Sequence, residues 1–176
     1  MADQQHLTML KQGVDSWNEW RQIHHEIQPD LSGADLKGAQ LPRINLSRTR
    51  LNDADLSRAN LMEALLSKAD FSRAILNKAN LSNADLNQAT LRAAIISEVD
   101  LRSAILTDAD LTDADLYGAV LTGADLSGAI LHGANFGEAD LSDVDLSKAD
   151  TKGARLIDAY FFRRPHELED NAGTGD

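Results

Sequence analysis

The sequence predicts an all-β solenoid: a four-sided parallel β-helix of almost seven coils, closed at its front by a capping α-helix. Three observations predict it. From Leu31 to Phe161 every fifth residue is large and apolar, 27 positions with Thr151 as the one polar exception. Two residues before each lies a small one, Ala from Ala34 to Ala159 except at Ile44, Thr49, Val99 and Val144. The register of both series never slips over that whole length.

No helix or flat strand can use this spacing. In an α-helix a step of five turns about 140°, which scatters the Leu residues around the axis. In a strand an odd step sends alternate Leu residues to opposite faces. A backbone that turns a right angle every five residues points each Leu at one axis, and four units close a square coil. Stacked coils pair their backbones about 4.8 Å apart, so the 27 units predict a rod roughly 30 Å long. Leu fills the narrow interior, and Ala lets the wall come close.

Residues 1–30 differ in kind. Leu7, Leu10, Val14, Trp17 and His24 lie near helical spacing, with Met9, Trp20, Ile23 and Ile27 on the adjoining stripe. This predicts one helix from about Gln4 to Glu26, weakened near Gly13 and stopped at Gln28-Pro29-Asp30. Its expected task is to cover the first coil, since a solenoid end exposes both core and unpaired strand edge. The solenoid is expected over 31–163 and a polar, disordered tail over 164–176. Within the solenoid, Pro42 predicts a corner or a loosened coil. Gly118, Gly123, Gly128 and Gly133 fill one coil at the same repeat position, which predicts a corner turn there unlike that of the neighbouring coils.

The sentence A(D/N)LXX, as in TDADLTDADLYGAVLTGADL from Thr107 to Leu126, resembles the pentapeptide-repeat family. The resemblance covers about three quarters of the chain. It implies that the four-sided β-helix is right-handed. LKQGVDSWNEWR followed by PDLSGADL is similar to the N-terminal cap of some cyanobacterial members.

Composition excludes several function classes. Cysteine is absent, so there is no disulfide framework, thiol nucleophile or zinc–thiolate site. A formal charge of −11 opposes direct binding to nucleic acid or to an anionic membrane. The N-terminus lacks the basic and apolar runs of a signal peptide, and no apolar stretch could span a membrane, so a cytoplasmic protein is expected. His6, His24, His25, His132 and His166 form no metal-ligand spacing, and His132 stands alone on an outer wall. Asp108, Asp110, Asp113 and Asp115 lack the glycine and terminal glutamate of an EF-hand loop and are expected to spread around corners. No nucleophile elbow, P-loop or dinucleotide fingerprint is present. The expectation is no enzyme, no cofactor and no metal.

What remains is surface. Residues 31–92 carry nine bases against six acids, a net of +3. Between Arg102 and Lys148 there is no Lys or Arg, while Asp108, Asp110, Asp113, Asp115, Asp125, Glu138, Asp140, Asp143 and Asp145 accumulate. Such a field can steer a positively charged partner; alternatively, Asp suits the position before Leu and merely solubilises the wall. Among the outward apolar residues Leu65, Ile75, Ile95, Ile105, Val120 and Ile130, the pair Ile75 and Ile95 is 20 residues apart and should stack as a contact patch. Tyr160, Phe161 and Phe162 either close the last coil or pair two rods end to end, which leaves a monomer and an end-to-end homodimer both open. The expected function is a non-catalytic protein-interaction or scaffold module with an unidentified protein partner. The alternative follows from the resemblance: some pentapeptide-repeat proteins are similar to B-form DNA in width and charge and bind DNA gyrase, a role for which this chain offers Asp108 to Asp145.

Overall fold

Each five-residue unit folds as one side of a square. The structure, a computed structural model, describes residues 2–162. The carbonyl of almost every central residue accepts from the amide three residues on, as Leu86 O does from Ala89 N at 2.9 Å. The residue between them, two after the centre, has a positive φ. That combination is a type II turn, and it makes the corner. Parallel bridges then join the residue before each centre to the one 20 further on, from Asp30–Arg50 to Asp140–Tyr160, with Asp125 and Asp145 excepted. The result is the right-handed quadrilateral β-helix.

The two apolar series form one continuous core. Leu46 to Leu86 on the central series and Ala54 to Ala94 on the small series are almost wholly buried, and Phe71 and Phe136 replace Leu without leaving the interior. Thr49 is buried in an Ala position with no hydrogen-bond partner for its Oγ1. Pro42 takes the second position of an ordinary corner, where its fixed φ suits a type II turn, and the Gln40–Asn60 bridge beside it is intact. The coil is not loosened there.

The glycine coil corrects the sequence-based expectation. Gly118, Gly123, Gly128 and Gly133 have φ of 63° to 73°, but Arg58, Lys78, Ala93 and Glu98 take φ of 53° to 60° at the same repeat position. Every described corner is therefore the same turn except at Lys148, which lacks the positive φ. There Asp145 makes no bridge to Asp125, and Gly128 N bonds to Lys148 O at 3.0 Å instead of to the residue before it.

The N-terminal cap is a pair of helices, not one. Helix α1 spans Gln4–Leu10 and α2 spans Val14–Ile23. Gly13, at φ 106°, breaks the chain between them. Asp3 caps α1 by accepting from Gln5 N and His6 N. The side chains of α2 then stand in for a missing strand. Trp17 Nε1 donates to Asn45 O at 2.7 Å, Asn18 Oδ1 accepts from Asn45 N at 2.8 Å, and the buried Arg21 donates to Ser47 O at 3.1 Å. Arg21 also holds the helix exit by donating to His24 O and Ile27 O.

Candidate interaction surfaces

Four outer walls follow from the register. The bridging columns are Asp70–Thr90–Asp110–Ile130 on the first, Asp55–Ile75–Ile95–Asp115 on the second, Asn80–Asp100–Val120–Asp140 on the third and Leu65–Asp85–Ile105–Asp125 on the fourth. Ile75 and Ile95 do stack on one wall, as their spacing predicts. Leu65 and Ile105 flank Asp85 on the opposite one.

The acids do not form one face. Asp110 and Asp113 stand on or beside the first wall, Asp115 and Glu138 the second, Asp140 and Asp143 the third, Asp108, Asp125 and Asp145 the fourth. They divide by repeat position into two chemical roles. Neither ladder nor turn uses the amide just after each central residue. Where Asp or Asn precedes the centre, its carboxylate or carbonyl takes that amide: Asp85 Oδ1 from Asn87 N at 2.9 Å, Asp110 from Thr112 N at 2.9 Å, Asp125 from Ser127 N at 2.9 Å, Asp140 from Ser142 N at 2.9 Å. Asp115 and Asp145 do the same for Tyr117 N and Ser147 N. This is an Asx turn repeated along the rod, and it is the physical reason for the (D/N)L of the repeat. We expect Asp85→Asn to leave stability unchanged and Asp85→Ala to cost about 0.5–1.5 kcal/mol in urea unfolding, because only the latter orphans the amide; equal losses would refute the capping role.

The second group, Asp108, Asp113, Asp143 and Glu138, sits on corners with positive φ. Glycine serves two of these acids on the following coil. A Cβ on Gly128 would strike the Asp108 carboxylate, and one on Gly133 would lie 2.5 Å from Asp113 Oδ1. The glycines therefore make room for acids folded over them.

Bases and acids of neighbouring coils pair on the outside: Arg43–Glu63 at 2.7 Å, Arg73–Asp53 at 2.7 Å, Arg92–Asp110 at 2.9 Å and Lys78–Glu98 at 3.2 Å. Such exposed pairs contribute little each. His132 is not alone, since its Nε2 lies 2.7 Å from Asp150 Oδ2. Tyr117, which the repeat pattern does not single out, is exposed on the second wall and close against Gly137. Its phenol is pushed up by a hydrogen bond to Glu138 and by the nearby Asp158 and Glu98.

The capping hydrogen bonds hold Asp55 and Asp125 below the usual carboxylate range, chiefly through Ser57 and Ser127. In Asp110 and Asp140 burial works the other way but is outweighed by bonds from Thr112 and Ser142. A carboxylate depressed in the fold contributes stability above its unfolded value near about 4 and loses it as pH falls through the folded value. Thermal midpoints should therefore be flat from about pH 7 to 5 and fall steeply below about pH 4. A midpoint rising on acidification would contradict this.

The C-terminal end is open among the described residues. Asp143 N still bonds to Phe162 O at 2.8 Å, so the coil runs on through the aromatic segment. Ile157, Tyr160, Phe161 and Phe162 are 70%, 59%, 53% and 50% exposed, and Leu156 is also accessible. The tail expected over 164–176 lies outside the described residues. Among the described residues no group of His, Asp and Glu could hold a metal ion, and no helix is long and apolar enough to cross a membrane.

The pentapeptide repeats profile matches in eight copies over residues 30–67, 54–92, 94–133 and 139–163. The chain belongs to the pentapeptide repeat family. Pentapeptide repeat proteins are in general structural or protein-interaction modules. Among solved structures, this pentapeptide repeat protein is similar to a trypsin-treated form of QnrB1, a plasmid-mediated fluoroquinolone resistance protein, at 22% identity and TM-score 0.59 over 76% of this chain and 77% of that one. It is also similar to a pentapeptide repeat protein of the Arabidopsis thaliana thylakoid lumen, at 33% identity and TM-score 0.31 over 66% and 68% of the two chains. HetL of the cyanobacterium Nostoc sp. strain PCC 7120, involved in heterocyst differentiation regulation, is 30% identical at TM-score 0.24 over 75% of this chain and 84% of its own. Comparison with curated proteins gives no match.

Proposed function

We propose that this protein is a non-catalytic protein-interaction module that makes its main contact through the open end of its last coil, with a second copy as the first candidate partner. The observation that carries this reading is the cluster of Leu156, Ile157, Tyr160, Phe161 and Phe162, which concentrates exposed large apolar side chains on one coil edge. Elsewhere along the solenoid such residues stand singly or in pairs. Among the described residues the last rungs of the ladder lie here, so this edge offers backbone groups as well as apolar surface. Sedimentation equilibrium tests it. The parent should be a dimer at micromolar concentration and Ile157→Asp with Phe161→Asp a monomer. A monomeric parent would eliminate self-association at this end.

A second reading is mimicry of DNA toward DNA gyrase. It is favoured by the acids of Asp108 to Asp145 lying on all four walls, so that this half of the rod is negative all round, as a duplex is. The corner acids are the right probe, because Lys68 and Lys78 show that a corner accommodates lysine. Inhibition of gyrase supercoiling by the parent, lost in Asp108→Lys with Asp113→Lys and Asp143→Lys, is the expected result. Equal potency of parent and variant would refute mimicry.

A further inference from the structure

The front of the solenoid is only half sealed. Within the rod, a bridging residue donates its amide to the carbonyl 21 residues earlier, as Asp55 N does to Ala34 O at 3.0 Å. Its carbonyl accepts from the amide 19 residues earlier, as Asp55 O does from Leu36 N at 2.8 Å. The first coil has no coil before it, so these groups need substitutes. On the first wall Asp3 N bonds to Asp30 O at 3.0 Å and His6 Nδ1 accepts from Asp30 N at 3.1 Å. On the fourth wall Trp17, Asn18 and Arg21 supply them, as described above. On the second and third walls nothing does. Asp35 N and O, Lys37 O, and Gln40 N and O have no partner among the described residues.

Beside this bare edge runs a groove of about 240 Å³. Its floor is Leu7 and Leu10 of α1 and Leu36, Ala39 and Leu41 of the first coil. Lys11 and Lys37 stand on its rim with Asp35, a local excess of positive charge on a protein of charge −11.

We propose that this edge is a peptide-binding site that accepts an extended acidic segment of the form Ala-x-Leu, added as a parallel strand in front of the first coil. An unpaired strand edge is a template for such addition, and every bridge in the rod is parallel. The register follows from the ladder. A peptide Ala carbonyl accepts from Asp35 N, and the amide of the Leu two residues on donates to Asp35 O. That Leu then packs on the half-buried Leu36, and the Ala lies beside Ala34, which is already buried. A second Ala-x-Leu five residues later offers the same two bonds to Gln40, with its Ala over the half-buried Ala39 and its Leu against Leu7 and Leu10, because Leu41 is already buried. Acidic corner residues of the peptide stand beside Lys37 and Lys11. The site lies at the opposite end of the rod from the proposed C-terminal contact and does not depend on it.

The probe is a labelled, end-blocked peptide of sequence TDADLTDADL, titrated into the full chain by fluorescence anisotropy. Saturable binding is expected, weakened at least about tenfold by Lys11→Glu with Lys37→Glu, both exposed residues. A peptide with both Leu replaced by Ser should not bind. Hydrogen exchange adds a readout specific to strand addition, because the Asp35 and Gln40 amides should exchange quickly in the free protein and slowly with peptide. Absence of binding at about 1 mM peptide would overturn the proposal. So would binding that ignores the lysine reversal, or binding that leaves both amides unprotected.

Discussion

Trp17→Ala should lower the free energy of unfolding by about 3–5 kcal/mol, among the largest losses from any single substitution in the chain. Trp17 is fully buried although it belongs to a surface helix. It fills the mouth of the solenoid, leans on Trp20 at 5.3 Å between ring centroids, and donates Nε1–H to Asn45 O. Removing it opens a cavity over the first coil and orphans a carbonyl of the ladder. Trp17→Phe separates the two effects. It keeps most of the bulk and loses only the donor, for an expected cost of about 1–3 kcal/mol. Urea unfolding of both variants measures this. A loss below about 1 kcal/mol for Trp17→Ala would mean that the helices rest on the solenoid without sealing it.

The second large effect depends on position along the rod. With the end contact removed by Ile157→Asp and Phe161→Asp, Leu86→Ala should cost about 2–5 kcal/mol, whereas Leu156→Ala should cost under about 1 kcal/mol. The two residues occupy the same repeat position. Leu86 is fully buried with coils on both sides, and Leu156 is 37% exposed on the last described coil. At Leu86 the ladder holds the walls at fixed spacing, so the lining cannot collapse into the space left behind. In a stack where each repeat contacts only its neighbours, a core residue contributes through the coil before and the coil after. Without those two substitutions the profile should be flatter, because a second copy seated on the end would cover Leu156; an equally uneven profile in both backgrounds would speak against that contact.

The repeat made the solenoid readable because its contacts are local and periodic. Leu86 meets Leu66 and Leu106 by the same spacing that places every other central residue, and the bridge Ile75–Ile95 follows from a separation of 20 alone. The five-residue period, the right-angle sides, the core and the stacking of outward residues therefore belong to the sequence. The role of the aspartates did not, because an Asp before Leu looks like a solubilising charge until the amide of Asn87 or Ser127 is seen to need it. The corner was also misread at the glycines. Positive φ is ordinarily a glycine property, yet the ladder imposes it on Arg58, Lys78 and Glu98 as well, since four-sided closure needs the turn whatever residue occupies it.

The cap is where tertiary structure decided most. Nothing periodic links Trp17 to Asn45, Arg21 to Ser47 or His6 to Asp30, residues 24 to 28 apart whose contacts exist only because two helices fold back over the first coil. Nor does the sequence reveal that the same helices leave Asp35 and Gln40 bare. By itself the sequence determined a square, Leu-filled rod with acids accumulating toward one end, because every unit repeats the same local solution. Which acids are committed to capping and which edges of the first coil are sealed was decided by long-range packing, where a particular side chain meets a particular backbone group and no repeat announces the meeting.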